Sequence, residues 1–166
     1  KTVSSNENKI MNRRNKVLSD LELFEFLSQN GYALGTDFIV GHPGETQELW
    51  NEAMKNLHNF PLTHIHAFTY SKRDGTPSAS MKDIVKGDIA KDRYIELVEI
   101  IKQKNYEFRQ NIKNNKVKLE VLEKKKKNGK YLGFDQFFNQ VEITSNEDLV
   151  SDWLNLEDYE VEFNKN

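Results

Sequence analysis

Leu34-Gly35-Thr36-Asp37-Phe38-Ile39-Val40-Gly41-His42-Pro43-Gly44-Glu45-Thr46 is the stretch on which the fold turns. Phe38 to Val40 is a short apolar run, partly β-branched and bounded by glycines, and reads as a buried strand. Gly41-His42-Pro43-Gly44 stops it and permits a sharp turn with close backbone approach. Thr46 can then cap a helix that carries Leu49, Trp50, Ala53, Met54 and Leu57 along one face. Strand, glycine turn and helix N-terminus together present backbone N–H groups to a polar ligand, although a plain strand-to-helix connection needs glycine too.

Upstream, Ser19-Asp20-Leu21-Glu22 reads as a capping box with Ser19 at the N-cap and Glu22 at N3. Leu21, Phe24 and Leu27, with Phe26 as a further candidate, give that helix its apolar face, and Asn30-Gly31 its stop. Downstream, Pro61 ends the second helix and Thr63 to Tyr70 form the next strand. His64, His66, Phe68 and Tyr70 share one face of it; Thr63, Ile65, Ala67 and Thr69 share the other. Helix, strand, helix, strand with short connections implies parallel strands covered by helices, an α/β class. His64 and His66 have a spacing that could co-ligate a metal, but no third ligand accompanies them and no metal site is assigned. Lys72 and Arg73 leave the C-terminal end of this strand, where they could meet a phosphate or carboxylate or stand solvated.

Asp88 is placed to cap a long helix reaching about Asn111, with Tyr94, Leu97, Val98, Ile101, Phe108 and Ile112 as its core stripe. Lys113-Asn114-Asn115-Lys116 breaks the pattern and divides 1–115 from 116–166. Beyond it the period becomes two, at Val117, Leu119 and Val121, and Asn128-Gly129 is a type I′ hairpin signal. Tyr131 to Phe134, Val141 to Thr144 and Tyr159 to Phe163 supply further strands, so a small antiparallel β-barrel is expected. Lys124, Lys125, Lys126, Lys127 and Lys130 make a basic patch, and Tyr131, Phe134, Phe137 and Phe138 could stack bases. Glu142, Glu147, Asp148, Asp152, Glu157, Asp158, Glu160 and Glu162 make the rest of the tail acidic, so a solvated lysine hairpin stands as an equal alternative.

The 166 residues are 37% apolar with a net charge of −2, so no global basic field draws the chain to nucleic acid. It contains no cysteine, which excludes disulfides and thiolate ligation within it. No apolar run reaches membrane-span length and no signal-peptide core opens the chain, so a cytoplasmic protein is expected. Paired carboxylates, a Ser-His-Asp set and a phosphate-loop lysine are all missing, and no catalytic residue is assigned.

Thr36 to Thr46 resembles the "TD-x-IVG-x-PGET" segment of the radical S-adenosylmethionine methylthiotransferases, enzymes that add a methylthio group to tRNA bases or to a ribosomal protein. Met11-Asn12-Arg13-Arg14 resembles the family's "MNR" segment, and Phe68 to Ala79 its "YS-x-R-x-GTPAA" segment. The three occur in the family's order. The resemblance implies the C-terminal portion of a partial (β/α) barrel over 1–115, followed by a TRAM-like RNA-binding β-barrel over 116–166. It also implies S-adenosylmethionine and a [4Fe–4S] cluster in a longer parent enzyme. The cluster needs thiolates, so this chain is expected to be a later part of that enzyme and inactive alone. By the same resemblance Ile39, Val40 and Gly41 lie beside the adenine, Gly44 and Glu45 shape the turn, and His42 and Tyr70 stand near the ligand. Arg13 would face the cofactor carboxylate or an RNA phosphate, unless it is simply part of a solvated loop. Lys72, Arg73, Lys124 to Lys127, Lys130 and Tyr131 would face the anticodon arm of tRNA. His42 replaces the family's commoner phenylalanine. The loop wording is nearest the branch that modifies N6-threonylcarbamoyladenosine, with the isopentenyladenosine branch next. A reading of another class is a non-catalytic RNA-binding or assembly module. If the chain is such a later part of a longer enzyme, its two-stranded sheet has an uncovered edge through which it is expected to associate with itself or contact neighbours.

Overall fold

The computed structural model describes residues 17–112, 117–125 and 129–156, the middle range by its backbone alone. The chain forms two compact units, Lys1–Asn105 and Tyr106–Asn166. The first contains helix α1 (Val17–Gln29), strand β1 (Gly35–Val40), helix α2 (Gln47–Asn59), strand β2 (His64–Thr69), a short 3-10 turn (Pro77–Ser80) and most of helix α3 (Gly87–Ile112). β1 and β2 pair in parallel, from Gly35 opposite His64 to Val40 opposite Thr69. Parallel strands need a crossover, and α2 supplies it.

Ser19 sits inside α1, so it is not the N-cap. The helix reaches further back because Val17 packs on the core together with Leu21, Phe24 and Leu27, extending the apolar face by a turn. Its end is a Schellman motif: Gly31, at φ 82°, donates to Ser28 O, and Tyr32 N–H donates to Leu27 O. Thr46 does cap α2, its hydroxyl accepting from Leu49 N–H at 3.3 Å. Trp50, Ala53, Met54 and Leu57 are buried along one face. They meet Phe38 and Val40 of β1, Leu34, Phe60 and Leu62 of the connections, and Leu97 and Ile101 of α3. Phe38 stands edge-on to Trp50 with centroids 6.3 Å apart, and Phe24 to Phe60 at 5.5 Å.

Asp88 is the second residue of α3 and not its cap. The buried stripe of α3 also differs from the expected one. Arg93, Leu97 and Ile101 are buried while Tyr94 is exposed, because the helix turns a charged residue inward. The opposite face of the parallel pair is open, with Asp37, His66 and Phe68 all exposed.

The second unit holds strands β3 (Val117–Lys125), β4 (Lys130–Asp135), β5 (Gln140–Thr144) and β6 (Trp153–Leu156). They form one antiparallel sheet in the order β5-β4-β3-β6. Among the described residues neither sheet closes into a barrel, and the second unit shows a four-stranded antiparallel sheet. β6 was not legible in advance, and the expected strand Tyr159 to Phe163 lies outside the described residues. The β3–β4 hairpin is as expected, with Lys125 opposite Lys130; Gly129 of its turn has φ 66°, and Asn128 lies outside the described residues. Tyr131 and Val141 are buried on one sheet face, with Ile143, Leu149, Leu154 and Leu156 around them.

Candidate functional site

The turn after β1 is built from the inside. Gly41 has φ 78°, and a Cβ there would lie 2.9 Å from Ala90 Cβ, so only glycine fits. Gly44, at φ 85°, donates its N–H to Asp83 O at 2.8 Å. Glu45 is buried, and its carboxylate oxygens accept Gly41 N–H at 3.1 and 3.2 Å. Arg93 of α3 answers that charge, with Nη1 2.6 Å from Glu45 Oε1 and the two side chains 6% and 1% exposed. The same Nη1 donates to Glu45 O at 3.1 Å and Nη2 to Gln47 Oε1 at 3.1 Å. The guanidinium carbon lies 5.6 Å from the centroid of the Trp50 ring, whose Nε1 donates to Glu96 Oε2 at 2.7 Å.

Around this frame stand the site candidates. Tyr70 N–H donates to Val40 O at 2.8 Å, which brings the residue after β2 against the end of β1. The Tyr70 and His42 rings then meet edge-to-face with centroids 5.3 Å apart. His42 Nδ1 lies 2.8 Å from Pro43 O, a geometry that puts the ring proton on Nδ1. Tyr70 Oη is buried and has no hydrogen-bond partner among the described residues. A buried hydroxyl left unmatched costs about 1–3 kcal/mol. Ile39 is half-buried on the open face, whereas Val40 is fully buried on the helix side, so Val40 offers a ligand no side chain.

No family model matches the chain. Over 94% of its length it is 43% identical to a protein of Helicobacter pylori strain J99 named "Putative methylthiotransferase". It is 30% identical over 90% of its length to a tRNA-2-methylthio-N(6)-dimethylallyladenosine synthase of Wolbachia pipientis wMel. It is 28% identical over 72% of its length to the threonylcarbamoyladenosine tRNA methylthiotransferase MtaB of Bacillus subtilis strain 168. The chain belongs to the methylthiotransferase family. It spans 37%, 36% and 27% of the lengths of these three relatives.

Of the other residues that the methylthiotransferase resemblance singled out, Lys72 and Arg73 are exposed, and the loop around them is closed by Thr76 Oγ1 donating to Arg73 O at 2.7 Å. Arg13 lies outside the described residues. His64 and His66 do not converge on a common ligand position. His64 contacts Thr63 Oγ1 at 2.8 Å and Asn105 Nδ2 at 3.3 Å, while His66 Nδ1 lies 3.4 Å from Asp37 Oδ1. No three His, Cys, Asp or Glu side chains among the described residues are grouped to hold a metal ion. With no cysteine, the chain offers no thiolate to an iron–sulfur cluster, and no step is derived through one.

In the second unit Tyr131 corrects the sequence reading. It is 1% exposed and its hydroxyl donates to Glu147 O at 2.8 Å, so its ring is core and not open to a base. Lys130 is exposed and pairs with Glu142 at 2.6 Å. Lys124 and Lys125 lie in β3 opposite Tyr131 and Lys130, but their side chains, with Lys126 and Lys127, lie outside the described residues. Phe137 packs edge-on against Phe108, whereas Phe138, at φ 61°, is 79% exposed. The buried Asp135 carboxylate shapes that turn by accepting from Phe137 N–H, Asn139 N–H and Asn139 Nδ2, each at 2.8 Å. Arg93 is the residue that sequence reasoning missed. Its one signal was a cation on the side of α3 that also carries Leu97 and Ile101.

Proposed function

We propose that this chain acts as part of a tRNA-modifying radical S-adenosylmethionine methylthiotransferase, and that its first unit supplies a wall of the cofactor pocket. The observation that carries the reading is the 43% identity to a relative named as a methylthiotransferase over 94% of the chain, with the His42–Tyr70 ring pair at the C-terminal end of two parallel strands. That end is where α/β folds carry ligands. S-adenosylmethionine, when bound, supplies the methyl group. The chain's own residues bind and orient: the His42–Tyr70 ring pair packs on the adenosyl group, and Ile39 with the backbone of Gly41 and Gly44 lines the approach. Without thiolates the chain is inactive alone, the cluster being held elsewhere in the parent enzyme.

Two of the relatives are named for tRNA adenosines, and this supports tRNA as the substrate. The wording of Phe68 to Met81 favours the threonylcarbamoyladenosine branch. Lys72 and Arg73 are placed for phosphate, and the second unit serves as the TRAM-like RNA-binding portion through Lys124 to Lys127 and Lys130. A cytoplasmic location follows from this reading; no helix among the described residues is long and apolar enough to cross a membrane.

The test is binding to an unmodified tRNA anticodon stem-loop across a salt series, with the native chain and with Lys124, Lys125, Lys126 and Lys127 all changed to serine. Binding should weaken with salt, and the variant should lose about 3 from the slope of log K against log salt, at roughly 0.7 per phosphate contact on a single strand. No binding at low salt would refute RNA recognition by this chain.

A further inference from the structure

We propose that Arg93 is a positioning residue for the adenosyl group, acting on Tyr70 from α3 without touching the ligand. The inference rests on the reading above and deepens it. The link is one peptide group. The Val40–Gly41 peptide accepts Tyr70 N–H on its oxygen at 2.8 Å and donates its N–H to the Glu45 carboxylate at 3.1 and 3.2 Å. That carboxylate is held in turn by Arg93 Nη1 at 2.6 Å, and Glu45 O by the same nitrogen at 3.1 Å. Arg93 therefore sets the tilt of the peptide that fixes where Tyr70, and with it the His42–Tyr70 pair, stands at the strand ends.

Stability alone is a weak reason for this arrangement. Burying two charges costs desolvation that their attraction barely offsets, and apolar replacements of similar volume are often as stable. Among the described residues Arg93 Nε is buried without a hydrogen-bond partner, so these do not satisfy the guanidinium fully. What the pair supplies is direction. Two forked groups admit few relative orientations, where an apolar contact would admit many.

The decisive variant is Arg93→Met with Glu45→Gln, which removes both charges and leaves a side-chain oxygen to accept Gly41 N–H. The probe is S-adenosylhomocysteine, which carries the adenosyl group but has no methyl to transfer, followed by calorimetry and by saturation-transfer NMR. The double variant should melt within a few degrees of the native chain, bind the probe at least tenfold more weakly, and show faster hydrogen exchange at the Gly41 amide. Equal affinity in native and double variant would overturn the positioning role and leave the pocket reading intact. Failure of the native chain to bind the probe would overturn the pocket reading, and this inference with it. Should the double variant not fold, Arg93→Lys serves instead: it keeps the charge but loses the fork, and an unchanged affinity there would sink the proposal equally.

Discussion

Changing Gly41 to alanine tests whether the turn is built as described. Two costs fall on it. At φ 78° an L-residue pays about 1–2 kcal/mol for the left-handed region. The new Cβ would also lie 2.9 Å from Ala90 Cβ, well inside the ~3.5–4.0 Å of a comfortable carbon contact. Overpacking of this kind costs about 1–3 kcal/mol. The sum is about 3 kcal/mol, which lowers the melting temperature of a unit this size by roughly 12–24 °C. A second substitution separates the terms. Ala90→Gly alone should cost about 1 kcal/mol as a helix glycine, but in the double variant it removes the clash. The pair should therefore be less destabilised than the sum of the singles by about 1–2 kcal/mol. Urea unfolding followed by tryptophan emission in a Trp153→Phe background reads this unit, since Trp50 is 1% exposed and Trp153, in the other unit, is 69% exposed. A Gly41→Ala chain within 1 kcal/mol of the parent would refute the backbone argument, and strictly additive singles would refute the Ala90 contact.

Tyr70→Phe should stabilise the free chain by about 1 kcal/mol, because it removes an unmatched buried hydroxyl; a loss of stability in the same urea assay would show that the hydroxyl has a partner. Glu48 should titrate below the usual carboxylate range, lowered first by the Thr46 hydroxyl and then by its own backbone N–H. Its contribution to stability is therefore present above the unfolded-state pKa and fades as pH falls through the folded one. Thr46→Val should raise the NMR titration midpoint, and an unmoved midpoint would exclude that hydrogen bond. Asp135→Ala should cost the second unit about 2–4 kcal/mol through three lost acceptor contacts, read as faster amide exchange at Tyr131 and Val141; unchanged protection would mean that the turn holds without the carboxylate. The native chain should self-associate through the edges of its two-stranded sheet, and a strictly monomeric sedimentation profile without dye binding to apolar surface would count against it.

The strand, turn and helix from Leu34 to Leu57 were legible because each step is local chemistry: β-branched residues, glycines at positive φ, a threonine cap and a one-sided apolar face. Residues whose place depends on distant partners were not. Arg93 was not legible because its partner Glu45 lies in another element. Ser19 looked like a cap because Val17 was not counted as core. β4 is ambiguous in itself, since Tyr131-Leu132-Gly133-Phe134 offers apolar residues to both faces. Its register decides the matter by setting Tyr131 opposite Ile143 and Gly133 opposite Val141 on the buried side. β6 is only four residues long and interrupted by Asn155, too short for an alternation to show.

The two faces of the parallel pair do different work, and this ties the fold to the proposed role. Phe38, Val40, Ile65 and Ala67 face the helices and contribute to a dry core with Trp50 and Leu57. Asp37, Ile39, His66 and Phe68 face the other way, mixing a carboxylate–imidazole pair with apolar side chains. Parallel sheets are ordinarily covered on both faces, and a helix packed on this second face would have to desolvate that pair. The Val40–Gly41 peptide stands where the two faces meet the turn, and through Glu45 and Arg93 the core helix α3 sets its orientation. In the proposed reading the glycine, the glutamate and the arginine form a single device spread over three elements and joined at one peptide group.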